Sequence, residues 1–312
     1  MLAHRVDQLN IGLILVSLIA AFLLPFHLFL FAYAVLGPLH YLTEIAWLKK
    51  QRFFLSQKFD FIILALFAIL FFVSDQFLHS NEWKTAVIYL AFLSALIMIS
   101  VQNIKTRCIV FIIAILSAFF LKEISWYTIL FGAFLATVIH VYVFTATFML
   151  YGALKSKSFW GIVSVLFLVL SGIICLLPFS GNTISPLSDI VRSSYQTFQG
   201  VNREVMNLLN FQGDIYSSST GISVMRFIAF AYTYHYLNWF SKTSLIGWYD
   251  ASKKYLTTIG ALWIASIGIY LYDYQLGFVC LLFLSILHVF LEFPLNFHSF
   301  KGISIELKKM IT

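Results

Sequence analysis

Apolar stretches near twenty residues long recur along almost the whole chain, separated by short polar or basic loops. The hydrocarbon core of a bilayer is about 30 Å thick, and about 20 apolar helical residues cross it. In lipid every backbone polar group needs a partner within the protein, which leaves only helices and closed barrels. The runs are continuous rather than alternating, so the spacing predicts helices. Composition agrees: 61% of the 312 residues are hydrophobic and 11% charged, against about half and a quarter in a soluble domain. The expected fold class is all-α, a polytopic transmembrane helical bundle that forms a single domain over residues 1–312.

Ten spans are expected, over 11–25, 26–48, 59–79, 85–102, 108–121, 125–152, 159–179, 221–241, 257–272 and 275–297. The first has no small-residue cleavage site behind it and reads as an uncleaved helix rather than a signal peptide. An even number of spans puts both termini on one side. That side carries fifteen of the twenty basic residues, among them Lys49, Lys50, Arg52, Lys105, Arg107, Lys253, Lys254, Lys308 and Lys309. Basic loops stay in the cytoplasm, so both termini are expected there. The expected location is the bacterial cytoplasmic membrane. The net charge of +7 follows from this asymmetry; the cations are scattered over several loops, with no stripe for nucleic acid.

One outer connection is long, over residues 180–220. Ile190, Val191, Phe198, Val205, Leu208 and Leu209 recur there at helical spacing among polar residues. This predicts an amphipathic helix on the outer interface or capping the bundle, starting at Ser185-Pro186 before Asp189. The plain reading of such a helix is an anchor. Cys108, Cys175 and Cys280 show no metal-type or paired spacing and read as packing residues.

Four histidines fall inside apolar spans: His40, His140, His235 and His288. Ionisable groups at membrane depth are costly and mark function by default. All four lie on even-numbered spans, in the middle or the cytoplasmic half, at depths that differ by roughly 9 Å at helical rise. Two carry a glutamate four residues later, Glu44 and Glu292, on the same helix face. Such a carboxylate can accept the second N–H of an imidazole ligand or bind a metal itself. Thr137, Tyr232 and Asn238 flank His140 and His235 as candidate orienting partners. His4, His27, His79 and His298 fall at interfaces or in tails and read as solvated. A lone intramembrane histidine is commonly just an interhelical hydrogen-bonding residue; it is the repetition that points to a metal. Imidazole suits iron, zinc, copper and nickel, so the ligand type alone does not choose among them.

The segments Gly37-Pro38-Leu39-His40-Tyr41-Leu42-Thr43-Glu44, Ile139-His140, Tyr234-His235-Tyr236 and Leu287-His288-Val289-Phe290-Leu291-Glu292-Phe293 resemble, in order and character, the histidine elements of the Brp/Blh family of membrane β-carotene cleavage dioxygenases. The chain departs from that pattern at several points. Tyr41 replaces a glycine, glutamate replaces aspartate, no acid closely follows His140, and Trp239 stands four after His235 where a second histidine is expected. The resemblance implies Fe(II) held by the four histidines, molecular oxygen as co-substrate, and a carotenoid or other lipophilic substrate entering from the bilayer. The 34 Phe, 16 Tyr and 7 Trp could line a tunnel for it, although aromatics also simply pack bundles and sit at interfaces.

Two other classes stay open on the sequence. One is haem electron transfer with histidine axial ligands. The other is a transporter using His and Glu as a proton or metal relay, for which Gly37-Pro38 supplies a helix break. No H-x3-H or H-x2-H-H box and no H-E-x-x-H occurs, which weighs against a desaturase and a zinc protease.

Overall fold

The computed structural model describes residues 2–179, 187–242 and 252–311. They are almost entirely helical, with no β-strand among them. In chain order the helices are α1 Leu2–Leu23, α2 Pro25–Lys50, α3 Asp60–Gln76, α4 Asn81–Ser100, α5 Ile104–Leu121 and α6 Ser125–Ser156. There follow α7 Phe159–Leu176, α8 Asp189–Tyr195, α9 Gln199–Leu208, α10 Ser219–Ser241, α11 Lys253–Tyr272 and α12 Tyr274–Ile311. The protein is an all-α polytopic bundle.

Eight helices are long and apolar enough to cross a membrane. The two other expected spans are present as α3 and α10, but α3 has only 17 residues and α10 is comparatively polar. The polarity of α10 follows from its place. Every residue from Gly221 to Tyr236 is buried, and α1, α2, α6, α7 and α9 pack around it. A helix shielded on all sides by protein need not present an apolar face to lipid. The outward helices do: Ile109, Ile112 and Phe120 on α5 and Leu262, Ile264 and Leu271 on α11 are exposed.

Local chemistry sets the ends. Ser80, Asn103, Ser158, Ser188, Ser218 and Ser252 each accept a backbone N–H at the start of the following helix. Each cap satisfies an otherwise orphaned donor and is worth about 1 kcal/mol. Helix α8 therefore begins at Ser188; the expected start at Ser185-Pro186 lies outside the described residues. The expected single amphipathic helix is two, α8 and α9, joined by a 3-10 turn at Gln196–Phe198. Ile190 faces outward while Val191 and Val205 are buried.

Two helices depart from regular winding, and both carry histidines of interest. In α2 a π-turn covers Ala32–Leu36, just before Pro38. Pro38 has no N–H to give, and close to this break the Val35 carbonyl accepts the Trp263 indole N–H of α11 at 2.7 Å. In α6 the π winding runs from Thr128 to Phe144. By contrast, α12 continues through Pro294 without ending, although a proline inside a helix removes a backbone hydrogen bond and commonly breaks or kinks it.

At the end carrying the basic loops, Arg107 of α5 reaches both carboxylate oxygens of Asp60 on α3, at 3.1 and 3.0 Å. It also donates to the Met98 carbonyl of α4 at 2.7 Å. Both side chains are buried, so three helices are pinned at one point.

Candidate metal centre

The four spans that carry His40, His140, His235 and His288 are α2, α6, α10 and α12, and all four side chains meet inside the bundle. They are 1%, 2%, 7% and 4% exposed, so none reaches toward water. The imidazoles form a closed ring of neighbours. Centroids are 4.6 Å apart for His40 and His235, 4.9 Å for His235 and His140, 5.1 Å for His140 and His288, and 5.3 Å for His288 and His40. Nε2 of His40 lies 3.0 Å from Nε2 of His235, and Nε2 of His140 lies 3.2 Å from Nε2 of His288. His40, His235 and His288 each offer a ligand nitrogen within 4.8 Å of the others.

The 3.0 and 3.2 Å separations are each what two ligands of one ion show; the three rings placed to share an ion are His40, His235 and His288, with His140 against His288. Nitrogen ligands sit at about 2.1 Å, which puts neighbouring ligand atoms about 3.0 Å apart in an octahedral set and about 3.4 Å apart in a tetrahedral one. The depth differences read along the chain do not keep the rings apart, because the helices are offset against each other enough to bring all four into contact.

The carboxylates lie against the ring. Glu44 Oε2 is 3.0 Å from His40 Nε2, as the four-residue spacing suggests. Glu292 does not pair with His288, its neighbour by spacing: its Oε2 lies 3.1 Å from Nδ1 of His140 on α6. Helix α12 turns the common face of His288 and Glu292 toward α6, where His288 meets the Nε2 edge of His140 and Glu292 the Nδ1 edge. Neither contact has hydrogen-bond geometry, and both carboxylate oxygens are buried without a hydrogen-bond partner. A buried oxygen left so is expensive, and a cation among these groups would supply what it lacks.

The orientation of His235 is fixed by a residue the sequence reading passed over. The Thr145 hydroxyl lies 2.8 Å from His235 Nδ1 and 2.9 Å from the Val141 carbonyl. A carbonyl only accepts, so the single hydroxyl proton goes to Val141 and the oxygen accepts Nδ1–H from His235. Nε2 of His235 then carries a lone pair and faces the cluster, the tautomer a metal ligand needs. The clue in the sequence was Thr145, five residues after His140 on the same span.

The other candidates are elsewhere. Thr137 bonds back to the carbonyls of Ala133 and Phe134. Asn238 bonds to Asn10, Tyr234 and Lys242. Tyr232 packs edge-on or tilted against Phe29, Tyr33 and Tyr236. All three line space beside the histidines rather than orienting them. Trp239, in the position where the family pattern has a histidine, packs edge-on to His40 and donates to Thr43 at 2.9 Å. His4, His27, His79 and His298 are exposed and apart from the cluster.

Two cavities meet the cluster from opposite ends. The larger, about 480 Å3, reaches His140, His235 and His288 past Tyr232 and Thr137 and extends to Asp75, Lys84, Thr197 and Glu204. The smaller, about 30 Å3, lies beyond the rings among Glu44, Glu292, Asn238 and Lys242 and has room for one or two waters. The π-wound stretch of α6 forms one wall of the large cavity. Its lining residues there are Thr128, Ile129, Gly132, Ala133, Ala136, Thr137, His140 and Val141, a repeat of four. That repeat runs through the π-wound stretch Thr128–Phe144 and carries the lining down to His140.

No protein-family model, curated protein or solved structure matches this chain.

Proposed function

We propose that the four histidines hold a redox-active transition metal, iron(II) in the first instance, and that the protein is an integral-membrane oxygenase acting on a lipophilic substrate. The observation that carries this reading is the convergence of four imidazoles from four helices, three of them placed to share one ion, with two carboxylates lacking hydrogen-bond partners beside them. Four neutral imidazoles leave the charge of a divalent ion uncompensated. Glu44 and Glu292 together balance it, which matters in a low-dielectric interior. Oxidative cleavage of a carotenoid is the specific reaction favoured, on the resemblance to the Brp/Blh dioxygenases. The helical architecture and the basic loops favour the bacterial cytoplasmic membrane as its site.

Bound there, iron would supply oxygen binding and one-electron chemistry. The chain supplies the rest. Thr145 presents the lone pair of His235, Glu44 and Glu292 offset charge, and Tyr41, Tyr236 and Trp239 pack on the rings and keep bulk water away. The large cavity brings substrate to His140, His235 and His288.

Haem is disfavoured, because rings with centroids 4.6 to 5.3 Å apart leave no slot for a macrocycle between them. A relay or transporter has one observation in its favour: cavities on both sides of the cluster, the inner one lined by Glu44, Glu292 and Lys242. Metal analysis of purified protein with a visible spectrum decides between the readings. Stoichiometric iron without a Soret band, lost in His40→Ala and His235→Ala, supports the oxygenase. Absence of bound metal together with proton or metal flux in proteoliposomes overturns it in favour of the relay.

A further inference from the structure

Of the two cavities at the cluster, the larger carries acidic and basic side chains at one end only. Its far end gathers Asp75, Asn81, Lys84 and Glu204, with the Thr197 hydroxyl beside them, at the end of the bundle opposite the basic loops. Its walls then become apolar, with Phe71, Ile88, Phe198, Phe278 and Leu282, and it closes on the histidines. The chain measures its depth. Phe278 and His288 both line it on α12, and ten residues of α-helix rise about 15 Å. That equals one leaflet's share of a hydrocarbon core about 30 Å thick.

The polar end also has a sign. Lys84 is bound to Asp75 at 2.7 Å, which leaves the half-buried Glu204 carboxylate as excess negative charge in the mouth. Such a mouth attracts hydrogen-bond donors and repels anions. Helix α9, which supplies Gly200, Val201 and Glu204 to the lining, is thus part of the entrance and not only an anchor.

We infer that the substrate is an elongate amphiphile whose polar end donates hydrogen bonds and carries no negative charge, such as a hydroxyl. That end stays at Asp75, Lys84 and Glu204 while the apolar chain runs inward. The reacting carbon is then set by distance from the polar end, about one leaflet deep. The inference rests on the metal-centre reading for what happens at the histidines, but the binding mode can be tested without it.

The probe is a long-chain primary alcohol with a photoreactive diazirine at its chain end, applied to the full-length protein in nanodiscs. The expected result is saturable crosslinking to the α12 segment 282–289 and the α6 segment 136–141. The parent alcohol should compete for it, and an alkane of equal length should be about tenfold less effective, as one retained hydrogen bond to a charged group implies. Ala136→Trp, in the cavity wall, should abolish the deep labelling. So should Gly200→Trp at the mouth, where an added Cβ meets nothing within 4 Å. Metal content is read on the same samples. Labelling confined to lipid-facing surfaces, or equal competition by alkane, overturns the inference, and does so alone if iron is present. Deep, alcohol-selective labelling of a protein that binds no metal upholds the binding mode and counts against the oxygenase.

Discussion

Replacing Thr145 by valine tests the centre at its most specific point. The two side chains are nearly the same shape, and position 145 is 7% exposed, so packing is conserved while one oxygen is lost. That oxygen accepts Nδ1–H of His235 at 2.8 Å. Without it the Nδ1–H is buried with no acceptor, a cost of about 1–3 kcal/mol. The ring can relieve that cost by moving its proton to Nε2, and the lone pair facing the cluster is then gone. Loss of such an orienting partner lowers metal affinity by about 10- to 100-fold, or ~1.4–2.8 kcal/mol. The assay is competitive metal titration against a chelator on detergent-purified protein, with thermal unfolding recorded in parallel. Thr145→Ser keeps the acceptor and should bind almost normally. Thr147→Val, whose hydroxyl bonds only to the Val143 carbonyl at an exposed position, should be silent. Unchanged affinity in a folded Thr145→Val protein would refute both the tautomer assignment and the role of His235 as a ligand.

Glu44→Gln and Glu292→Gln should each weaken metal binding, and the double variant should lose more than either alone, because two carboxylates share the compensation of one charge; isothermal titration in detergent reads this. Arg107→Ala should destabilise the protein by about 3–5 kcal/mol by leaving Asp60 buried and unpaired, seen as a lower unfolding temperature, with iron stoichiometry unchanged in the folded fraction. Trp263→Phe should cost about 1 kcal/mol by removing the donor to the Val35 carbonyl; a loss of several kcal/mol would mean that the π-turn of α2 depends on it. Gly172→Leu should destabilise the protein, since a Cβ there would run into the Tyr142 ring tip and force it off the Leu168 carbonyl; normal melting of this variant would contradict the close approach of α6 and α7.

Much of the site was legible one residue at a time. His40, His140, His235 and His288 stood out because imidazoles are rare at membrane depth, and Glu44 because residues four apart share a helix face. The partner of Glu292 was not legible. Spacing along one helix shows which side chains point the same way, but not which neighbouring helix that face meets. Thr145 stayed hidden because threonine is unremarkable in a span until a particular imidazole is placed opposite it. The role of α9 was missed for the same reason: its amphipathic pattern fits a plain anchor as well as a cavity mouth.

The sequence by itself determined the class of fold, since only helices can satisfy the backbone in lipid over continuous apolar runs. It also separated the four intramembrane histidines from the four at surfaces. Tertiary structure decided that a comparatively polar helix, Ser219–Ser241, sits at the centre, where protein on every side shields it. It decided that the four rings come within contact of each other. It decided as well that the π-wound stretch Thr128–Phe144 lines a cavity down to His140. These depend on the offsets and facing of helices far apart in the chain, which local periodicity does not encode.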